Sequence, residues 1–303
     1  MKKIFIVSND FSGSRLDRWF KKKVYLVPQS FIEKNIRRGN IKVNKKKVKS
    51  SHKLKTEDQV SIFNLKFEPG LTKKKLEPYV PTKNESATAS NFFIENNENF
   101  VIINKPSGIA VQSGTKSKKN ILDILRSTKE FKDFTPFPVH RIDKDTSGIL
   151  IVAKNRKYAQ LFTSLFRIRK IHKTYICVVL GELNNKKGTF EDELIQYEGK
   201  KKIILKAITH FTVVDSNTKY SLINLHPETG RKHQLRKQLF SRGHPVLGDS
   251  KYRISNSIYA KKKVLMLHAY KIKFIINQVK YSFTAELPDI FKKTLKEKYL
   301  KIS

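Results

Sequence analysis

The chain has 303 residues, 63 of them Lys or Arg and 26 Asp or Glu, which gives a formal charge of +37. No run of about 18 apolar residues occurs, so no transmembrane helix is expected. The apolar stretch in the first ten residues is too short for a signal peptide. Cys177 is the single cysteine, which excludes an internal disulfide framework or a CxxC metal site and fits a reducing compartment.

The length suggests about two domains, and 39% hydrophobic residues with 20 Phe and 11 Tyr suffice for a core. Such an excess of positive charge points to a polyanion, nucleic acid above all. A Lys-, Asn- and Ile-rich genome would also raise it, so charge motivates a nucleic-acid partner without identifying the function.

Residues 1–63 hold 17 basic and 5 acidic side chains and read as a small complete unit. Ser14, with Asp17 three residues on, predicts a capping-box-like start to an amphipathic helix whose apolar set is Leu16, Trp19, Phe20 and Val24. Ser30 and Glu33 predict the same for a second helix with Ile32 and Ile36, closed by Gly39. Ile41 and Val43, the Asn44-Lys45 turn, and Val60 with Ile62 predict short half-buried strands. Arg15, Arg18 and Lys22 fall away from the apolar set, Arg37 and Arg38 end the second helix, and Lys45, Lys46 and Lys47 lie on the turn. Together they are candidates for one phosphate-binding face, although charged residues on a helix ordinarily just face water.

Residues 64–90, with Pro69, Gly70, Pro78, Pro81 and the run Lys73-Lys74-Lys75, read as a linker. From residue 91 to 303 strands mix with helices without strict βαβ alternation, predicting an α+β domain with a mixed sheet. Strands are expected at 100–103, 149–152, 175–180, 203–214, 219–226, 264–275 and 280–285. Helices are expected after Asn155 and over 231–242.

The segment His140-Arg141-Ile142-Asp143-Lys144-Asp145-Thr146-Ser147-Gly148 is densely charged and feeds an apolar strand. A rigid scaffold presents reactive side chains from such loops, though the same residue types also favour ordinary turns. It is joined by Lys173-Thr174-Tyr175, by Gly230-Arg231-Lys232-His233-Gln234-Leu235-Arg236, by Asn104-Lys105-Pro106-Ser107-Gly108, and by the run from Gly243 to Asp249. This set resembles the RluA family of RNA pseudouridine synthases over about residues 92–290. Residues 12–63 resemble the S4 RNA-binding domain, through Arg15-Leu16-Asp17, Ser30 to Gly39, Ile41 to Asn44 and Glu57 to Val60. An S4 domain ahead of such a catalytic domain is similar to the large-subunit rRNA members. The stretch from Ser107 to Gly114 is most similar to the RluC branch, with RluD close.

The resemblance implies isomerisation of uridine to pseudouridine in large-subunit (23S) rRNA by a cytoplasmic enzyme, a monomer, without metal or cofactor. Asp143 is then the catalytic carboxylate, attacking C1′ or promoting elimination through a glycal. Arg236 is its ionic partner, with Arg231 in reserve. Tyr175 stacks on the uracil, Leu235 packs against the base, and Arg141 fills the gap that the flipped nucleotide leaves. His140 orients the loop, and Asp145 supports the turn. Lys232 stands where Thr or Ser is usual, and Lys237-Gln238 where Val-His is, which puts local contacts of that helix in question. Two rival readings are a non-catalytic rRNA-binding or assembly protein on the same scaffold and a base-removing glycosidase.

Overall fold

The computed structural model describes all residues except 1, 26, 64–78, 114–117, 199–200, 255–263 and 303. It divides into two units, Met1–Glu77 and Pro78–Ser303.

The first unit has β1 (Lys2–Ile6), α1 (Leu16–Lys23), α2 (Gln29–Arg37), β2 (Ile41–Val43) and β3 (Gln59–Phe63), the strands forming a sheet in the order β1-β3-β2. Its core is the apolar set expected from the spacing: Leu16, Trp19, Phe20, Ile32, Ile36, Ile41, Val43, Val60 and Ile62 are all buried. Asn44 and Lys45 both have positive φ (48° and 63°), and Val43 and Lys46 exchange backbone hydrogen bonds across them, as the tight hairpin turn requires. Gly39, at φ +77°, follows α2.

Three local expectations fail in this unit. Neither capping box forms: Arg15 and Pro28 occupy the N-cap positions without a side-chain cap. The first amides of α1 are satisfied instead by the neighbouring chain, Leu16 N donating to His52 O (2.8 Å) and Asp17 N to Ser50 O (3.1 Å), which removes the need for a serine cap. Strand β1 lies outside the 12–63 span expected for the domain. It is an edge strand with exposed Ile4 and Ile6, so its alternation carries no buried face to read; only Phe5 tucks in, edge-on to Trp19 at 5.9 Å.

In the second unit the elements are α3 (Lys83–Ala89), β4 (Phe93–Asn96), β5 (Phe100–Lys105), α4 (Ile121–Arg126), β6 (Phe137–Pro138), β7 (Ser147–Ala153), α5 (Arg156–Arg167), β8 (His172–Leu180), β9 (Lys187–Glu198), β10 (Lys201–Asn217), β11 (Tyr220–Pro227), α6 (Gln234–Ser241), β12 (Leu267–Ile276), β13 (Val279–Thr284) and α7 (Asp289–Glu297). Ten strands form one sheet along the path β4-β5-β7-β12-β8-β11-β10-β9, with β13 on β12 and β6 on β7. The sheet is mixed because β12 runs parallel to β7 while its other described pairings are antiparallel. At that junction Gly148 (φ +104°) lies against Ala269, whose backbone a Cβ would strike. A glycine therefore ends the charged loop for a packing reason as well as a turn reason.

Part of the expected linker is folded. Residues 79–90 carry α3, started by a capping box in which Thr82 and Glu85 satisfy each other's backbone amides. Tyr79 N donates to Asp123 Oδ2 at 3.1 Å, and Ser86 Oγ meets Ser127 Oγ at 2.7 Å. Prolines 78 and 81 obscured this helix signal; the rest of the linker lies outside the described residues. Strand β9, unread in the sequence, forms a long hairpin with β10. Cys177 is buried within β8.

Candidate active site

The charged loop between β6 and β7 is anchored at both ends. His140 Nε2 accepts from Ile151 N (2.9 Å), and its ring stacks on Phe166 at 4.6 Å. Burial holds this imidazole down to about 3, so it is neutral and free to accept. At the far end Ser147 Oγ contacts His268 Nδ1 (2.8 Å). Thr146 N turns back to Asp143 O (3.2 Å).

The end of β5 holds the middle of the loop. The side chain of Lys105 is completely buried, and its ammonium donates to the carbonyls of Pro106 (2.7 Å), Ile109 (2.9 Å) and Lys144 (3.1 Å). Ser107 Oγ donates to Asp145 O (2.6 Å), and Gly108 N to Lys144 O (2.9 Å). The two motifs, some 40 residues apart in sequence, are thus one hydrogen-bonded structure.

Asp143 projects from this frame, its side chain 27% exposed. Its Oδ2 is 3.5 Å from Nη1 of Arg236 on α6. Arg236 is almost fully buried and its other nitrogens are committed: Nε donates to Asp249 Oδ2 (2.6 Å) and Nη2 to Asp249 Oδ1 (2.7 Å). Asp249 also accepts from the amides of Lys251 (2.8 Å) and Tyr252 (2.9 Å). Burial raises its carboxyl, but Arg236 and those two amides outweigh that and hold it below the usual range. The guanidinium of Arg236 also lies over the Tyr252 ring at 5.2 Å.

The helix expected over 231–242 begins only at Gln234, because His233 adopts a left-handed conformation (φ 54°) at the N-cap. Such a backbone in a non-glycine residue is held by its surroundings. Here His233 Nδ1 bonds Tyr252 Oη (3.0 Å), and Nε2 lies 3.8 Å from Asp143 Oδ1. Gln234, buried, reaches back to Thr229 and Thr209 (2.8 and 2.9 Å), docking the helix start on the sheet.

These elements enclose a cleft of about 100 Å³, open to solvent, lined by Arg141, Asp143, Lys173, Tyr175, Arg231, Leu235 and Arg236 among others. All six catalytic-unit residues expected at the site therefore line one cleft. Of these, Arg236 and not Arg231 pairs with Asp143; Arg231 Nε donates to Lys206 O (3.1 Å). Tyr175 is half-buried, and burial, reinforced by Asp143, pushes its phenol well above its ordinary value, so it stays neutral. Asp249 and His233 lie within the sequence motifs, but nothing in their spacing assigns either a role at the site. No acidic residue within α6 marks a partner for Arg236; only the fold brings Asp249 to it.

In the first unit Arg18, Arg37, Arg38, Lys45, Lys46 and Lys47 are exposed. Arg37 and Lys47 line one shallow cleft with Lys49 and His52. Arg15 is not free: it makes a two-point pair with buried Asp17 (2.6 and 3.1 Å), which also accepts from Gln29 Nε2 (2.9 Å). Arg15 therefore ties α1 to its own first turn. Among the described residues no group of His, Cys, Asp and Glu could hold a metal ion, and no helix is long and apolar enough to cross a membrane.

A mixed sheet presents a carboxylate to a clamped arginine in an open cleft, and similarity to known proteins gives the class. Residues 99–241 match the RNA pseudouridylate synthase family and residues 14–60 the S4 domain. The chain belongs to the RNA pseudouridylate synthase family and is an RNA pseudouridine synthase with an N-terminal S4 domain.

More particularly, it is 34% identical over 293 residues to ribosomal large subunit pseudouridine synthase C of Buchnera aphidicola subsp. Schizaphis graminum, covering 90% of this chain and 89% of that protein. Identity to the protein of that name from Vibrio vulnificus is 32% (88% and 87% covered) and to that from Haemophilus influenzae 30% (90% and 87%). Among solved structures, human RNA pseudouridylate synthase domain containing 4 shares the fold, with a TM-score of 0.63 at 24% identity over 71% of this chain and 96% of that one.

Proposed function

We propose that this enzyme converts uridines of large-subunit rRNA to pseudouridine, with Asp143 attacking C1′ of a uridine flipped out of its helix. The observation that carries the reading is the 3.5 Å approach of Arg236 Nη1 to Asp143 Oδ2. The guanidinium holds and orients the carboxylate at the cleft, where a nucleophile for C1′ must stand. The names of the relatives support large-subunit rRNA as the substrate.

The reaction breaks N1–C1′, turns the base and rejoins it through C5. Extruding the uridine costs a few kcal/mol; stacking on Tyr175 returns about 1–3 kcal/mol. Arg141, exposed two residues before Asp143, fills the space left in the RNA. Leu235 packs on the other side of the base. The basic face of the first unit, Arg18, Arg37, Arg38 and Lys45 to Lys47, holds the phosphate backbone. We place the enzyme, as a monomer, in the cytoplasm with its rRNA.

The test is Asp143→Asn. Pseudouridines mapped in large-subunit rRNA from cells lacking the gene, and from such cells given either form, identify the targets. The wild type should restore them and Asp143→Asn should not. Restoration by both would reject Asp143 as nucleophile, and release of free uracil would indicate a glycosidase.

A further inference from the structure

Lys173 and Tyr175 are two residues apart on β8, so their side chains leave the same face of the strand, and both line the cleft. Among the described residues, the ammonium of Lys173 has no hydrogen-bond or ion-pair partner. The charges around it offer none. Arg169, before β8, repels it and is itself taken by Glu228 at 3.3 Å. His140 is neutral. Arg141 and Arg231 are further cations of the lining, and His233 carries no negative charge. The one carboxylate of the lining, Asp143, is opposed by Arg236, whose own charge Asp249 matches. A cation partly withdrawn from water without a counter-ion is disfavoured, and burial, with Arg169, pushes the Lys173 ammonium down to about 8. This arrangement is complementary to an anion that the reaction itself creates.

We propose that Lys173 stabilises the negative charge on the uracil as it detaches from the ribose, and so holds the free base in the cleft while it turns. The inference rests on the reading of Asp143 as nucleophile. When the carboxylate bonds to C1′, the N1–C1′ pair leaves with N1 and spreads over the ring to O2 and O4. A lysine two residues from the stacking tyrosine presents its charge beside the ring, where those oxygens lie. After rotation C5 bonds to C1′ and the C1′–O pair returns to the carboxylate. C5 then loses its proton and N1 gains one, so the balance is an isomerisation. The Lys173 charge acts only on the intermediate and the transition states around it, so it belongs in the rate and not in RNA affinity.

The experiment uses large-subunit rRNA labelled with tritium at uridine C5, from cells lacking the gene, and reads tritium release in single turnover beside RNA binding. Lys173→Met should slow release by about 10²–10³-fold, as loss of an oxyanion-stabilising donor does, with RNA Kd within about twofold. Lys173→Arg should recover most of the rate. A lysine is charged below its pKa, so the wild-type rate should fall as pH rises through about 8, and Lys173→Arg should extend the plateau upward. An unchanged rate in Lys173→Met overturns the inference. So does a loss of affinity equal to the loss of rate, which would mark a phosphate contact. Asp143→Asn separates the two readings: if it releases tritium, the nucleophile assignment fails; if it is silent while Lys173→Met is fully active, only the present inference fails.

Discussion

Asp249 grips Arg236 through two nitrogens at 2.6 and 2.7 Å and leaves the third, Nη1, pointing at Asp143. The guanidinium is thereby fixed in plane and direction before any RNA arrives. A flexible arginine facing Asp143 alone would have to be ordered in every catalytic cycle.

Removing this clamp should damage stability as well as catalysis. Arg236 and Asp249 are both buried, so Asp249→Ala leaves an uncompensated guanidinium and should cost about 3–5 kcal/mol, read by urea unfolding. Asp249→Asn keeps the shape and an acceptor. It should lower the rate of pseudouridine formation more than it weakens RNA binding. A wild-type rate in a folded Asp249→Asn enzyme would show that Arg236 needs no second carboxylate.

The same pair sets a pH dependence. The Asp249 carboxyl is lowered in the folded state, so its contribution to stability is complete above the ordinary carboxylate value. It is lost as pH falls through the lower folded value. Urea midpoints of the wild type should therefore drop below about pH 4, and Asp249→Asn should show a shallower drop. Parallel curves would contradict this.

Tyr175 is expected to act through its ring. Tyr175→Phe preserves the stacking face and should keep RNA affinity; Tyr175→Ala should lose about 1–3 kcal/mol of binding to the target nucleotide. Comparing Kd for the three forms on a short target RNA measures this. A Phe variant as weak as the Ala variant would shift the role to the hydroxyl.

Lys105 is expected to hold the loop that carries Asp143. Lys105→Met removes a donor to three carbonyls at once. Lys144 O keeps the Gly108 amide as a donor, but a part-buried acceptor left unmatched at Pro106 or Ile109 costs about 1 kcal/mol or more, so the thermal midpoint should fall by a few degrees. Hydrogen exchange at Lys144 to Ser147 should also quicken. Unaltered exchange there would mean that His140 and Ser147 alone anchor the loop.

In the first unit, Arg37→Ala with Lys47→Ala should flatten the salt dependence of rRNA binding, by about 0.7 in log–log slope for each contact with single-stranded phosphate. Arg15→Ala should instead act on folding of α1, because Arg15 is engaged with Asp17. A slope that changes for Arg15→Ala and not for the other pair would relocate the RNA grip.

What the sequence determined by itself was whatever local spacing encodes. The apolar faces of α1 and α2, the strand after the charged loop, and the Asn44-Lys45 turn all follow from periodicity and turn chemistry, which act over a few residues. The motifs around Asp143, Tyr175 and Arg236 were legible for the same reason. Tertiary structure decided the rest. It gave the first amides of α1 backbone partners from residues 50–52 in place of a serine cap, started α2 after Pro28 without a side-chain cap, delayed α6 until after His233, and folded residues 79–90 onto the catalytic unit. It also chose Asp249 as the partner of Arg236. A salt bridge between a helix and the loop beyond it depends on how both lie against a sheet whose neighbouring strands are far apart in the chain, and no short stretch of residues holds that distance.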